Sequence, residues 1–150
     1  MTKVHPMTIN KPILERVSPT FGSSFLTKHY SEARPNKPPK WHYHPEIELV
    51  YIRGGRGRRR IGTHVSYFTD GDLVMIGANL PHWGFTEPRT NNQAETVIQF
   101  LPEQLGESFI QLPELQNLRN LIQLAQSGLS FHGETRKQQG KRLEGLINLD

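Results

Sequence analysis

Between Trp41 and Gly55 the chain reads WHYHPEIELVYIRGG, which places His42 and His44 two apart, Glu48 four further on and Gly55 seven beyond that. A second stretch, GDLVMIGANLPH from Gly71 to His82, ends on another histidine. Imidazole nitrogen and carboxylate oxygen are donors suited to first-row divalent metals such as Zn, Ni, Fe, Mn or Cu. If neighbouring strands bring His42, His44, Glu48 and His82 together, these residues can hold one such ion and leave positions open for water or a ligand. The alternative is that the four line a pocket, hydrogen-bonded among themselves and to water, with no metal. No general acid, base or nucleophile set stands apart from them, so no catalytic residue is assigned.

Such side chains need strands to position them, and residues 12 to 102 carry the punctuation of short strands. The runs Ser24–Lys28, Glu48–Arg53, Arg58–Ile61, Val65–Phe68, Leu73–Ile76 and Thr96–Leu101 are separated by Gly, Pro, Asn and Asp. Their brevity and even spacing predict a sandwich or barrel. Gly54-Gly55 reads as a tight hairpin turn, and Thr69-Asp70-Gly71-Asp72 offers a glycine for positive φ beside carboxylates that can bond their own backbone. If Glu48 faces inward, Val50 and Ile52 share its face and supply an apolar wall, so Val50 is a candidate ligand contact.

From Pro113 the pattern switches to helical spacing, with Leu115, Leu118, Ile122 and Ala125 on one stripe and Gly128 where a stop is expected. A second amphipathic segment begins near Glu134, with Leu143, Leu146 and Ile147 apolar, and is still running at Asp150. This points to a boundary within a longer protein or to an interface completed by another subunit. The division expected is a β-barrel with an N-terminal arm over 1–112 and a helical hairpin over 113–150, the latter serving as homodimer interface, cover for the barrel, or both.

Composition narrows the class further. The 150 residues contain no cysteine, which removes disulfides, thiolate ligands and thiol nucleophiles. The N-terminal segment lacks an apolar signal region and no apolar run is long enough to cross a bilayer, so a cytoplasmic protein is expected, with no membrane partner. A net charge of +4 hints at an anionic partner without being a nucleic-acid signature.

The histidine–glutamate elements resemble the two cupin motifs. The first keeps its metal residues and Gly55 but has Asn36 at the opening glycine; the second keeps Gly71 and His82 but has Gly77, Asn79 and Thr86 where proline, glycine and asparagine are usual. Over roughly residues 40 to 150, the phrases GDLVMIG, NLPHW and SGLSFHG, with the strand ETVIQFLP, resemble the N-terminal effector domain of AraC-family transcriptional regulators. The resemblance implies a mainly β fold, a double-stranded β-helix (cupin or jelly-roll barrel) followed by a C-terminal α-helical hairpin. It also implies a domain that binds a small-molecule effector, a sugar or small organic acid, and dimerises. DNA would be bound only through a C-terminal helix-turn-helix module absent from this chain. By family position Glu95, Val97 and Gln99 face the pocket, where Glu95 and Gln99 could bond ligand hydroxyls. A small metal-dependent cupin enzyme, a dioxygenase or isomerase, is the alternative; the helical tail favours the sensor, which needs a link between its two halves.

Two further features call for weighing. In the cluster Arg53, Arg56, Arg58, Arg59 and Arg60, alternation sends Arg59 to one face and Arg58 with Arg60 to the other. Arg59 is the ligand-contact candidate, able to grip a carboxylate or phosphate. The plainer reading, and the one favoured, is a solvated hairpin that discourages edge pairing, because no aromatics interleave with the basic residues. Trp83, next to His82, is a candidate for stacking on a sugar or aromatic effector, with core packing as its other role; Trp41, Tyr43 and Tyr51 are expected in the core. His5, His29, His64 and His132 lack ligand spacing and read as solvated.

Overall fold

The computed structural model describes residues 11–19, 22–30, 40–83 and 93–146; Asn36, Thr86, His5 and Ile147, named above, lie outside them. Its strands are β1 (Ile13–Leu14), β2 (Phe25–Tyr30), β3 (His42–Tyr43), β4 (Ile47–Arg53), β5 (Arg56–Ile61), β6 (His64–Thr69), β7 (Asp72–Ile76), β8 (His82–Trp83), β9 (Ala94–Phe100) and β10 (Leu129–Ser130). A one-turn helix α1 (Glu107–Ile110) precedes α2 (Gln116–Ala125) and α3 (Gly133–Leu146). Among the described residues no helix is long and apolar enough to cross a membrane.

The strands build two sheets, in the orders β1-β3-β8-β5-β6 and β10-β7-β4-β9-β2. This is the mainly β, double-stranded architecture expected, and its making lies in two corners. β4 pairs with β7 and β5 with β6, so the four form one long hairpin whose end is folded from the second sheet onto the first. Gly54-Gly55, expected as a hairpin turn, is instead the corner where the chain passes from β4 in one sheet to β5 in the other. Both glycines have positive φ, 67° and 70°, a conformation that glycine adopts without steric cost. The return corner, Asp70 and Gly71, also has positive φ, and the Asp70 N–H donates to Gly55 O at 2.7 Å, tying the corners together. The true hairpin tip is at Gly62, between β5 and β6.

Alternation along each strand then sorts the side chains. Val50, Ile52, Ile61, Phe68, Val74, Ile76 and Val97 pack between the sheets, with Tyr30 and Leu80 against them. On the opposite side of the second sheet, Ile47 and Met75 are covered by Leu121, Ile122 and Ala125 of α2. The helical stripe read from the sequence therefore buries itself on the barrel. α3 packs on the same side, its Gly140 so close to the Tyr51 ring that a Cβ there would lie 2.2 Å from the ring edge. The link between α2 and α3 differs from a plain hairpin turn: after Gly128, whose φ is 80°, Leu129 and Ser130 pair with Met75 and Val74 of β7.

Candidate metal centre

β3 supplies His42 and, just beyond its end, His44; β8 supplies His82, directly opposite His42 in the antiparallel register. Glu48 comes from β4 in the facing sheet, in register with Ile76 on one side and Gln99 on the other. One ring nitrogen from each of His42, His44 and His82 lies within 4.8 Å of the others. His44 and His82 are buried, and His42 is half-buried at the rim.

Which nitrogen each ring offers follows from its other bond. Nδ1 of His42 donates to Lys40 O at 2.8 Å, Nδ1 of His44 to Glu46 O at 3.1 Å, and Nδ1 of His82 to Leu80 O at 2.8 Å. A carbonyl oxygen only accepts, so each Nδ1 carries the hydrogen and each Nε2 of a neutral ring presents a lone pair. All three rings are thus oriented by backbone carbonyls two residues away. The Nε2 of His82 is buried without a hydrogen-bond partner, an orphaned acceptor that a cation would satisfy. The donor set, three oriented imidazoles with a carboxylate beside them, fits a divalent transition metal.

Glu48 sits 3.1 Å from His44 Nε2 through one oxygen and 3.7 Å from His82 Nε2 through the other, and Gln99 Nε2 donates to it at 2.6 Å. Burial favours its neutral form, but the His44 hydrogen bond and the charges of His82 and His44 outweigh this and lower its pKa. For His44, burial opposes the charged ring, yet the hydrogen bond and charge of Glu48, with help from Glu46, raise its pKa. His82 goes the other way: burial outweighs Glu48 and lowers its pKa. Both shifts favour a charged His44 donating to an ionised Glu48 across their 3.1 Å contact.

With no metal bound, the pH dependence has a definite sign. Raised above 6.5, His44 contributes stability that is complete below pH 6.5 and lost as pH rises through its folded value. Lowered below 4.5, Glu48 contributes above pH 4.5 and loses that as pH falls through its folded value. Their pair stabilises the metal-free barrel most between 4.5 and 6.5. The depressed His82 contributes above 6.5 and pulls the optimum upward. Glu48→Gln is expected to flatten the acidic side of this profile in urea titrations with chelator present; an unchanged profile would refute the pairing.

Residues 29–146 match the family described as the AraC-like ligand binding domain. The chain belongs to this family. The AraC-like domain is similar in fold to ToxT from Vibrio cholerae bound to (E)-4-(8-methylnaphthalen-1-yl)but-3-enoic acid, at 11% identity and a TM-score of 0.52, covering 85% of this chain and 50% of that one. A second ToxT structure from Vibrio cholerae gives 11% identity and a TM-score of 0.53 over 85% of this chain and 49% of that one. A cupin 2 conserved barrel protein from Salinispora arenicola matches at 16% identity and a TM-score of 0.41, covering 70% of this chain and 93% of that one. This chain spans about half the length of the ToxT chains. A search of curated proteins found no match.

Within this AraC-like domain the residues named from sequence separate into groups. His42, His44 and His82 come together as a trio, and Glu48 lies against His44 and His82 but outside the mutually close group. Glu95, Val97 and Gln99 share the inward register with Ile52, Val50 and Glu48. Val50 and Val97 are members of the packed core, 1% and 5% exposed. Gln99 gives its amide N–H to Glu48, with its Oε1 buried and unpartnered, so its first role is to hold the glutamate.

Arg59 and Trp83 are corrections. Arg59 enters the barrel, but its guanidinium bonds Asp72 and, at 3.1 Å, Ser130 Oγ, which occupies the fork expected to grip a ligand. Trp83 neighbours His82 on a strand, so the alternation that turns His82 inward turns Trp83 outward, where Arg58 lies over its ring. Two acids were missed. Glu46 lies 3.6 Å from His44 Nδ1, and Glu15 reaches His42 Nε2 at 3.2 Å from the strand β1 region. Glu46 sits two residues after His44 and was open to inspection; nothing in the sequence around Glu15 signals its approach.

Proposed function

We propose that this chain is the effector-sensing domain of an AraC-type, cytoplasmic transcription regulator, in which His42, His44, His82 and Glu48 hold one divalent transition metal beside the effector. The observation that carries this reading is the orientation of three imidazoles by three backbone carbonyls, with one ring nitrogen of each within 4.8 Å of the others, in a ligand-binding family. A bound metal would supply a Lewis acid for an oxygen of the effector. If a metal is held there, His44 must give up the proton it shares with Glu48, so affinity would rise with pH. Gln99 keeps Glu48 in place and anionic, and its unpartnered Oε1 is an acceptor for an effector hydroxyl.

A small organic acid is the favoured effector class, with sugars second. A metal held there would accept a carboxylate oxygen as a further ligand, and the ToxT structure named above is bound to a carboxylic acid. In the whole regulator, DNA binding falls to a C-terminal module and dimerisation to the helices. Leu124 and Leu146, 58% and 53% exposed, with Phe109 of α1 at 50%, are apolar helix positions open to a mate. Sedimentation that finds only monomer at high micromolar concentration would remove the dimer.

Calorimetric titration of the metal-loaded and chelator-treated domain with small carboxylates and sugars tests the reading. Saturable binding that disappears with chelator is expected. Equal binding without metal would leave the histidines as pocket lining, and turnover of a bound acid would favour a metal-dependent enzyme.

A further inference from the structure

Both helices lie on the second sheet, and the outer face of the β1-β3-β8-β5-β6 sheet carries a different set of side chains. Arg56, Arg58 and Arg60 alternate along β5 and point outward, because Gly57 stacks inward on Phe68, and Arg59 and Ile61 are buried. In register beside them on β6 stand Thr69, Tyr67 and Val65, the last two 72% and 47% exposed. Trp83 pairs with Arg60 from the other edge of β5. The Arg60 guanidinium lies 4.3 Å from the Trp41 ring centre and Arg58 lies 5.2 Å from that of Trp83. Arg60 Nε donates to Gly62 O at 3.1 Å, which helps fix its head.

Aromatics therefore do interleave with the basic residues, but in space and from other strands. A guanidinium lying on an indole still has its donors at the edge, where an anion's oxygens can reach them. None of the strand residues that face outward on this sheet is Asp or Glu. A second copy docked through a two-fold axis would set this arginine row against itself, so charge disfavours that occupant. An acidic peptide would answer the arginines but leave the exposed Tyr67 ring without a partner. A nucleic-acid strand answers both, with a phosphate and a stackable face in every unit.

We propose that the outer face of this sheet binds single-stranded nucleic acid, its phosphates on Arg56, Arg58 and Arg60 and a base stacking on the exposed Tyr67. The site stands apart from the metal centre and does not depend on it.

The chain's 2 tryptophans, Trp41 and Trp83, both belong to this face, so their emission reports on it locally. Titration with an oligothymidylate of about a dozen nucleotides at low salt is expected to quench them saturably. With three phosphates engaged, log affinity should fall against log salt with a slope of about −2. Arg58→Glu with Arg60→Glu should weaken binding at least tenfold, and Tyr67→Ala, at an exposed position that tolerates truncation, severalfold. Lys137→Glu with Lys141→Glu, on α3, should leave it unchanged. No quenching, equal loss in the α3 variant, no loss in Tyr67→Ala, or equal or tighter binding of a duplex or a polyglutamate peptide would each overturn the proposal.

Discussion

Changing His44 to alanine is expected to lower affinity for a divalent transition metal by more than about 100-fold, since even supporting groups behind a ligand commonly cost 10- to 100-fold. His44 is the most buried of the three imidazoles, its ring is set by Glu46 O, and it is the partner that keeps Glu48 ionised. Its loss removes a donor and leaves a buried carboxylate with less reason to stay charged. Elemental analysis of protein made without a histidine tag and dialysed against a weak chelator reads the result, with exposed His64→Ala as control. Equal metal in variant and parent, or none in either, would show the cluster to be lining.

A second large effect is expected at the far side of the barrel. Arg59 and Asp72 are 8% and 4% exposed and form an ion pair between the two sheets. Burial pushes the Asp72 carboxyl up from its ordinary value, and Arg59 only partly restores it. Asp72→Ala strands a buried guanidinium, and breaking such a pair costs about 3–5 kcal/mol. Arg59→Met together with Asp72→Leu removes both charges and should regain most of that loss in urea unfolding. A double variant as unstable as the single one would mean that the pair does more than neutralise itself.

The parts of this molecule that were legible in its sequence are those governed by short-range rules. Period-two alternation placed Glu48, Val50 and Ile52 on one face, and helical spacing found the Leu121, Ile122 and Ala125 side of α2 through its neighbours on the stripe. What escaped depends on partners distant in the chain. Gly54-Gly55 has the backbone freedom of a hairpin turn and of a sheet-to-sheet corner alike, and only the pairing of β4 with β7 distinguishes them. β10 is two residues long and is a strand only because β7 lies beside it. Arg59 was sent to the correct face but meets Asp72 and Ser130 there, which no local pattern could announce. Trp83 is different: its outward direction follows from that of His82, so alternation alone was enough to place it.

The short strand between the helices gives the domain a mechanical property. β7 is bonded along one edge to β4, which carries Glu48, and along the other to β10. Just past its end, Gly77 N–H donates to Ala125 O at the close of α2, and near its start Leu73 O accepts from Phe131 on the approach to α3. Both helices are thus clamped to the same five-residue strand that abuts the glutamate. Glu48 and the helix ends are therefore separated by the width of one hydrogen-bonded strand.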